Sequence, residues 1–446
     1  MEHLEQLRCS GLFESRVPRY SSYPPAHRFI PAEGRLHQEQ WLGQVPHRST
    51  LSLYVHVPYC KSVCWFCACR TQAAENEGVI EDYVISLLAE LKAVRAHLPQ
   101  SVTLGRLHLG GGTPTMINPD DMTRLLDAIY SALPRSDAFD CSVEIDTTQV
   151  TPEMIDNLAQ LGMNRAIIGV QDFDTKVQRA IGRKQSFEQT FRAAGILREL
   201  GMPHIDMELL YGLPKQTANS IAETAQQVLS MDPDRVVVCE YAHVPSLAKR
   251  QILLDARNLP TAEDAFLNAQ VARQILLSDG YEAVGVDHFV KPGDSLIAAR
   301  NNQTLRRDFE GYSDNASHAL IGLGASAISR FPQGYVQNAS ATSVYRNTVS
   351  TRGLAGNRGY ELSQSEKVVA HMIERIMCRF ELDVPSIRQA FPSASSLIDQ
   401  LLNTLQKVHF ARIDASPERL VIKPEYRPLA RMVCNTLDHL GTRSAG

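Results

Sequence analysis

From residue 51 the chain alternates short apolar runs with longer amphipathic ones. The apolar runs are LSLYVHV (51–57), VTLGRLHLG (102–110), CSVEID (141–146), NRAIIGV (164–170), PHIDMELLYG (203–212), RVVVCEYA (235–242) and EAVGVDHF (282–289). Their length and β-branched content predict buried strands. Between them, IEDYVISLLAELKAVRAHL (80–98), PDDMTRLLDAIYSAL (119–133), SFEQTFRAAGILRELG (186–201), NSIAETAQQVLSM (219–231) and EDAFLNAQVARQILLS (263–278) place apolar residues at helical spacing. Repeated β-then-α units imply parallel strands covered by helices. Their number, with no GxGxxG turn after the first strand, predicts an α/β fold: a full or partial (β/α) barrel, not an open dinucleotide-binding sheet.

The flanks read differently. Residues 1–50 are interrupted by Pro18, Pro24, Pro25, Pro31 and Pro46, which predicts an irregular amino-terminal arm. Within it, VPRYSSYPPAHRF (17–29) is dense in aromatic and basic side chains and suits either a packed arm or a lid. Past 290, RNNQTLRRDFEGYSDNASH (300–318) is polar and loop-like, and ALIGLGASAISRF (319–331) is apolar and rich in small residues. The tail holds two helical stretches, LSQSEKVVAHMIERIMCRF and LIDQLLNTLQKV, and a strand pair around HFARIDASPERLVIKPE. The expected division is an arm or lid over 1–50, a barrel with its carboxyl-side extension over 51–350, and a small, mostly helical, winged-helix-like lid domain over 351–446.

Composition narrows the class. Of 446 residues 44% are apolar and 21% charged, the proportions of a globular protein with material for a large core. A net charge of −4 gives no general attraction to nucleic acid, and the tail's basic residues are interspersed with acids, so no nucleic-acid partner is expected. No apolar run approaches the ~20 residues that span a bilayer, so no membrane role is expected either. The first twenty residues lack a basic stretch followed by an apolar one, which argues against a secretory signal. Clustered cysteines without such a signal point to a reducing, cytoplasmic setting rather than to disulfides.

Four of the nine cysteines, Cys60, Cys64, Cys67 and Cys69, fall within ten residues directly after the first strand. The first three have C-x3-C-x2-C spacing. Thiolates suit iron–sulfur clusters or zinc, and a closed site of either kind normally takes four ligands. Three in one loop leave one metal position for a substrate or cofactor. A zinc site completed by Cys69 or His56 is the alternative, although no second cysteine knuckle exists elsewhere. Cys141, Cys239, Cys378 and Cys434 stand singly, as small buried apolar groups do.

In a barrel of this kind the chemistry sits at the carboxyl ends of the strands. There the sequence places the cysteine loop, the glycine-rich HLGGGTPT (108–115), Glu144, Gln171 and Asp172, Glu208, and Asp287 with His288. Any one of these alone reads more readily as a hydrogen-bonded structural group. Their shared position on one rim is what suggests a site.

With these motifs in hand, the chain resembles the radical S-adenosylmethionine (SAM) enzymes, through C-x3-C-x2-C after the first strand and the GGGTP turn. More closely it resembles the oxygen-independent coproporphyrinogen III oxidases, through VPRYSSYP, LYVHVPYC-x3-C-x-FC-x-C, LGGGTPT, VEID, GVQDF with VQRAIGRKQ, LLYGLPKQT, YAHVP, VDHF, FEGY and GLGASAIS. Cys69 is a specific marker of that family. The resemblance implies that Cys60, Cys64 and Cys67 hold a 4Fe–4S cluster whose open iron binds SAM. A 5′-deoxyadenosyl radical would then take a β-hydrogen from a propionate. Loss of CO2 and an electron leaves a vinyl group. Two rounds convert coproporphyrinogen III to protoporphyrinogen IX, with a reductant such as flavodoxin or ferredoxin and a monomeric enzyme as further expectations.

By the same resemblance, Tyr54, Gly111, Glu144 and Ile328 match positions around one SAM. Phe66, Gly112, Thr113, Gln171, Arg183, Glu208 and Ala242 match those around a second. Glu144 suits an α-ammonium and Arg183 a carboxylate. Arg19 is a candidate for substrate propionates on charge alone. Related haem chaperones and haem-modifying radical SAM proteins are the alternative functions. Four departures from the family pattern stand out. Glu208 replaces aspartate, Thr147-Thr148-Gln149 replaces Pro-Arg-Glu, Ala68 replaces glycine, and Arg70 replaces asparagine.

Overall fold

The computed structural model describes residues 2–443 except Arg16, Glu75 and Phe410, the last of which lies in the stretch read as a strand pair. Two compact units result, each discontinuous in sequence. One comprises Phe29–Tyr281 with Ala316–Tyr360, and the other the chain up to Arg28, Glu282–Asn315 and the chain from Glu361.

The larger unit is built on parallel strands β1 (Thr50–Val57), β2 (Thr103–Gly111), β3 (Arg135–Ile145), β4 (Arg165–Gln171), β5 (His204–Tyr211) and β6 (Arg235–Glu240), adjacent in that order. On the far side of β1 lies β7 (Ala319–Leu323), also parallel to it, followed by antiparallel β8 (Ile328–Phe331) and β9 (Gly334–Asn338). The strand ladder is thus a row of six βα units extended by a meander, the partial-barrel form of the expected α/β fold. Alternate residues sort the two faces. Leu51, Leu53, Val55 and Val57 of β1, Leu107 and Leu109 of β2, and Ala166, Ile168 and Val170 of β4 are buried at 1% exposure or less. The opposite face carries Tyr54, His108, Glu144 and Glu208.

Helices enter where the sequence supplies caps. The side chain of Asn118 accepts from Asp121 N ahead of α2 (Pro119–Ala132), which follows α1 (Glu77–His97). Thr151 caps α3 (Pro152–Gln160) in the same way, and Asp174 caps α4 (Thr175–Ile181). Ser186 caps α5 (Phe187–Glu199), Thr217 caps α6 (Ala218–Leu229) and Thr261 caps α7 (Ala262–Ser278). Each cap satisfies backbone N–H groups that a helix start otherwise leaves open.

A buried polar node ties α1 to the strand ends. Glu90 is fully buried and accepts from Gly324 N at 2.8 Å, Asn338 Nδ2 at 2.7 Å and Tyr345 Oη at 2.7 Å. Tyr83, also on α1, donates to His56 O and accepts from Ala325 N, both at 2.8 Å. Gly324 has no room for a side chain, because a Cβ there meets His56 O at 2.5 Å and Tyr83 Oη at 2.6 Å. The end of β1 and the turn after β7 are therefore held by one pair of α1 side chains.

In the smaller unit, helices Gln364–Arg379, Ser395–His409 and Ala430–Arg443 surround a three-stranded sheet of Glu381–Asp383, Arg419–Ile422 and Ile413–Ala415. Tyr20 and Tyr23 of VPRYSSYP are buried in its core with Met372, Ile376, Leu401 and Leu437. Tyr20 Oη lies 3.1 Å from Asn435 Oδ1 and 3.2 Å from Asp438 Oδ2, and Arg28 pairs with Asp438 at 2.8 Å. The aromatic motif thus braces this unit's core.

Two expectations are corrected. The stretch 282–289 is not one continuous strand but part of an antiparallel hairpin, Glu282–Val284 against His288–Val290. Gly285, at φ +60°, turns it, and a Cβ there would strike the Tyr312 ring at 2.0 Å, so only glycine fits. Asp287 and His288 belong to the smaller unit. Asp287 pairs with buried Arg307 at 3.0 Å and with His288 Nδ1 at 2.8 Å. The arm is also less irregular than its prolines suggest, since Glu33–Gly43 is helical. Among the described residues no helix is long and apolar enough to cross a membrane.

Burial lifts the Glu90 carboxyl from its ordinary 4.5 to about 7, with its three donors opposing the rise. The folded chain therefore holds this proton more tightly than the unfolded one. The group's contribution to stability is full below about pH 4.5 and is lost as pH rises through about 7, a span worth about 3 kcal/mol. Thermal melts from pH 4.5 to 8 should show Glu90→Gln with a visibly flatter Tm–pH slope than the parent. Parallel slopes would rule the linkage out.

Candidate active site

The cysteine loop hangs between β1 and α1 and is closed at its base. Tyr59–Cys60 runs parallel to Gln72–Ala73, with Gln72 N donating to Pro58 O at 2.8 Å and Ala74 N to Cys60 O at 3.1 Å. The glycine turn after β2 is sewn to the same segment: Gly112 N donates to Val57 O at 2.8 Å and Thr113 N to Tyr59 O at 2.7 Å. A Cβ on Gly112 would lie 2.5 Å from Tyr59 O, 2.9 Å from Val57 O and 3.0 Å from Cys60 Sγ. Gly111 sits at φ +111°, where a side chain is strained, and its Cβ would meet the His56 ring at 2.5 Å.

The far side of the loop is clamped by residues that no periodicity marked. Trp65 N donates to Ile181 O at 3.0 Å, and Gly182 leaves space for the Trp65 ring. Buried Gln251 donates to Phe66 O at 2.8 Å and to Ala242 O at 3.1 Å, while Arg250 donates to Thr71 Oγ1 at 2.8 Å and to Thr71 O. The Phe66 ring packs on Val177, Ile181, Leu213, Tyr241 and Leu254. The only hint of this clamp in the sequence is two polar residues, Arg250 and Gln251, beside the apolar ILL that follows them.

Along the open sheet face the side chains form a connected row. Tyr54 stacks on His108, its partner across the β1–β2 register, with ring centroids 5.6 Å apart. Tyr54 Oη lies 2.9 Å from His56 Nδ1, and His56 Nε2 lies 3.2 Å from Arg70 O. Nε2 must donate to that carbonyl, so Nδ1 accepts from Tyr54. Burial lowers the His56 pKa, keeping the ring neutral. Both ring nitrogens are thus engaged in hydrogen bonds. His108 meets Ser142 Oγ at 2.8 Å and lies 3.6 Å from Glu144 Oε1. Glu144 accepts from Gly111 N at 3.0 Å. Burial, then the Glu144 charge, pushes Glu208 up to about 7.

Arg183 donates to Gln185 Oε1 at 3.0 Å, to Gly169 O and to Cys64 Sγ at 3.4 Å, which joins the α4–α5 connection to the cysteine loop. Gln171 holds φ +69°, and its Oε1 is buried without a hydrogen-bond partner. Ile328 opens β8 against Gly322, which is itself in register with Tyr54. The two expected groups of contacts, Tyr54, Gly111, Glu144 and Ile328, and Phe66, Gly112, Thr113, Gln171, Arg183, Glu208 and Ala242, all fall in the larger unit. Asp172 is a structural group. It is fully buried and accepts from Gln216 Nε2, Thr224 Oγ1 and Asp174 N at 2.7–3.0 Å. Arg19 lies in the other unit. The Thr147-Thr148-Gln149 departure has a local account: Thr148 and Gln149 donate to Asp146 through N, Oγ1 and Nε2 at 2.7–3.0 Å, so neutral donors wrap that carboxylate.

The thiols differ among themselves. Burial raises Cys60 to about 11, opposed by a hydrogen bond with Thr113 and reinforced by the nearby Cys67 and Cys64. Cys69 donates to Cys67, which lowers Cys67 to about 6 and raises Cys69. Among the described residues no three His, Cys, Asp or Glu side chains converge on a single metal ion. A 4Fe–4S cluster does not ask for that, since each cysteine takes a different iron and the sulfurs stay apart. Three soft donors on one anchored loop, close enough to feel one another's charge, fit a cluster. The unsatisfied Gln171 oxygen and the Glu144–Glu208 row offer acceptors for a polar cofactor beside it.

Comparison with known proteins agrees with this geometry. The Radical SAM superfamily profile matches residues 54–228. The chain is 41% identical to the oxygen-independent coproporphyrinogen III oxidase of Paracoccus denitrificans over 100% of this chain and 99% of that protein. It is 42% identical to the anaerobic coproporphyrinogen III oxidase 1 of Cereibacter sphaeroides, with the same coverage. The solved structure of coproporphyrinogen III oxidase from Escherichia coli, described as a radical SAM enzyme, superposes with a TM-score of 0.89 at 31% identity, covering 94% of this chain and 97% of that one. The fold and loop are those of a radical SAM enzyme, which uses a 4Fe–4S cluster and SAM. Within that superfamily the chain belongs to the oxygen-independent coproporphyrinogen III oxidases.

Two outcomes follow. Replacing Cys60, Cys64 or Cys67 by serine should abolish the iron and sulfide bound after anaerobic reconstitution, whereas Cys69→Ser should retain them. Iron retained in Cys60→Ser but lost in Cys69→Ser would reverse the ligand assignment. Gly112→Ala should cut cluster occupancy at least fivefold, because its methyl displaces Tyr59 O or Cys60 Sγ. Occupancy equal to the parent would show that the turn yields.

Proposed function

We propose that this enzyme oxidatively decarboxylates two propionate side chains of coproporphyrinogen III to vinyl groups without O2, giving protoporphyrinogen IX for haem synthesis. The observation that carries this reading is the anchoring of the Cys60–Cys67 loop on the Gly112–Thr113 turn, beside a face lined by Tyr54, Glu144, Glu208 and Arg183, in a chain of this family. When bound, the cluster and SAM supply the radical that takes a propionate β-hydrogen.

The residues around them hold and orient. Cys60, Cys64 and Cys67 would ligate three irons. Glu144 accepts from an α-ammonium group, and Arg183 lies where it can pair a carboxylate while steadying Cys64. Tyr54 and Phe66 present flat apolar surface, and Gly111 and Gly112 let backbone come within contact of the cofactor. Glu208, one methylene longer than the family's usual aspartate, reaches a ribose hydroxyl as acceptor when ionised and as donor when protonated. Thr113, Gln171, Ala242 and Ile328 complete the two sets of SAM contacts. Holding the reacting C–H bond beside the radical in a dry site is worth several kcal/mol of barrier in well-oriented reactions, on the order of 7–11. We place the enzyme in the cytoplasm as a monomer reduced by flavodoxin or ferredoxin, without nucleic-acid or membrane partners.

The reconstituted holoprotein, given coproporphyrinogen III, SAM and a low-potential reductant under anaerobic conditions, should form protoporphyrinogen IX and about two methionines per product, read by chromatography. Haem bound tightly with no vinyl product would replace this reading by a haem-carrier function.

A further inference from the structure

A cavity of about 710 Å³ opens on the outer flank of the cysteine loop. Its wall includes Cys67, Ala68, Cys69, Arg70 and Thr71 of the loop, the segment Leu247–Arg250, and Ser340–Ser343 with Arg346. None of the residues expected around SAM lines it; Tyr59, Cys67, Cys69 and Arg70 join it to the site. It is thus a second approach to the cluster, separate from the sheet face where Tyr54, Glu144 and Glu208 gather.

Its chemistry is one-sided. Arg70, Lys249, Arg250 and Arg346 line it, and no aspartate or glutamate does. Arg346 is partly neutralised by Asp82 at 2.8 Å, while Arg250 spends its guanidinium on the neutral Thr71. Lys61 adds an exposed cation on the same loop. Arg70 is exposed on the same loop. Beside the cations, Leu247 is 72%, Ile252 72% and Leu253 62% exposed. Large apolar side chains set among like charges mark a protein-docking surface rather than a small-anion pocket. Cys67 lies in the wall, so a bound electron carrier reaches the cluster through one of its own ligands.

We infer that this concavity is the docking site of an acidic, low-potential one-electron carrier protein, which Arg70 and Lys249 steer and Leu247 seats. One electron passes from the reduced carrier to the oxidised cluster; the carrier is oxidised by one electron, the cluster reduced by one, and no atom or proton is exchanged. The inference rests on the reading of the chain as a cluster-bearing enzyme, and its two supporting readouts, carrier binding and cluster bleaching, need no porphyrinogen turnover.

The probe is an acidic flavodoxin acting on the anaerobically reconstituted holoprotein. Calorimetric titration should give a Kd that rises at least tenfold in Arg70→Glu/Lys249→Glu, and several-fold in the parent between 50 and 200 mM salt. Stopped-flow bleaching of the cluster by reduced flavodoxin should slow by a similar factor, while bleaching by dithionite stays at the parental rate. Leu247→Asp, further from the cysteines, should weaken binding without altering iron content. Unchanged flavodoxin affinity in both variants would overturn the assignment. So would a tenfold rise in the KM for coproporphyrinogen III with carrier binding intact, which would give the cavity to the substrate's carboxylates.

Discussion

The site depends on one close approach. Where β2 ends, the backbone of Gly112 passes so near the chain leading into Cys60 that no side chain fits between them. Two backbone hydrogen bonds, Gly112 N to Val57 O and Thr113 N to Tyr59 O, extend the β1–β2 pairing past the last regular residue. That extension converts a mobile class of structure, a loop rich in reactive thiols, into one anchored on a sheet. The anchoring continues outward. Gln251, Arg250 and Gly182 hold the loop's far side, and Tyr83 with Glu90 holds the strand behind it. Three cysteines alone would not make a defined cluster site; three cysteines on a loop fixed at both flanks do.

The charges nearby follow from the same economy of space. Glu144 and Glu208 share one face, and burial, then the Glu144 charge, raises the Glu208 carboxyl to about 7. Such a carboxyl is poor at stabilising the fold and well suited to a polar cofactor that brings its own donors. Asp287 is the opposite case. Arg307 and His288 hold its carboxyl well below the usual range against a large burial penalty, the mark of a group used for structure.

Much of this was legible in the chain. The first six strands, the five expected helices and the thiol loop lie where period and spacing put them, because parallel strands buried on the helix side read as continuous apolar runs. What failed did so for identifiable reasons. EAVGVDHF has a strand's composition, but Gly285 at φ +60° and Tyr312 beneath it impose a hairpin that pattern alone cannot reveal. Asp172 sits at a strand end yet points into the core, since rim position does not fix side-chain direction. Tyr20 and Tyr23 sit in a proline-rich arm, and only tertiary packing shows them as core residues. The Gln251–Phe66 and Glu90–Gly324 contacts join residues 185 and 234 positions apart, beyond any local signal.

The cross-strand pairing of Tyr54 with His108, and of His108 with Ser142, has an evolutionary corollary. Because neighbours along a strand face opposite ways, adding or deleting a single codon within β2 or β3 would turn every downstream polar side chain of that strand toward the helices. Point changes can be absorbed one contact at a time, whereas a length change needs a bulge, as at Gly105 in β2. Length changes are therefore best tolerated in the connections, and the polar row on this face changes most readily by substitution.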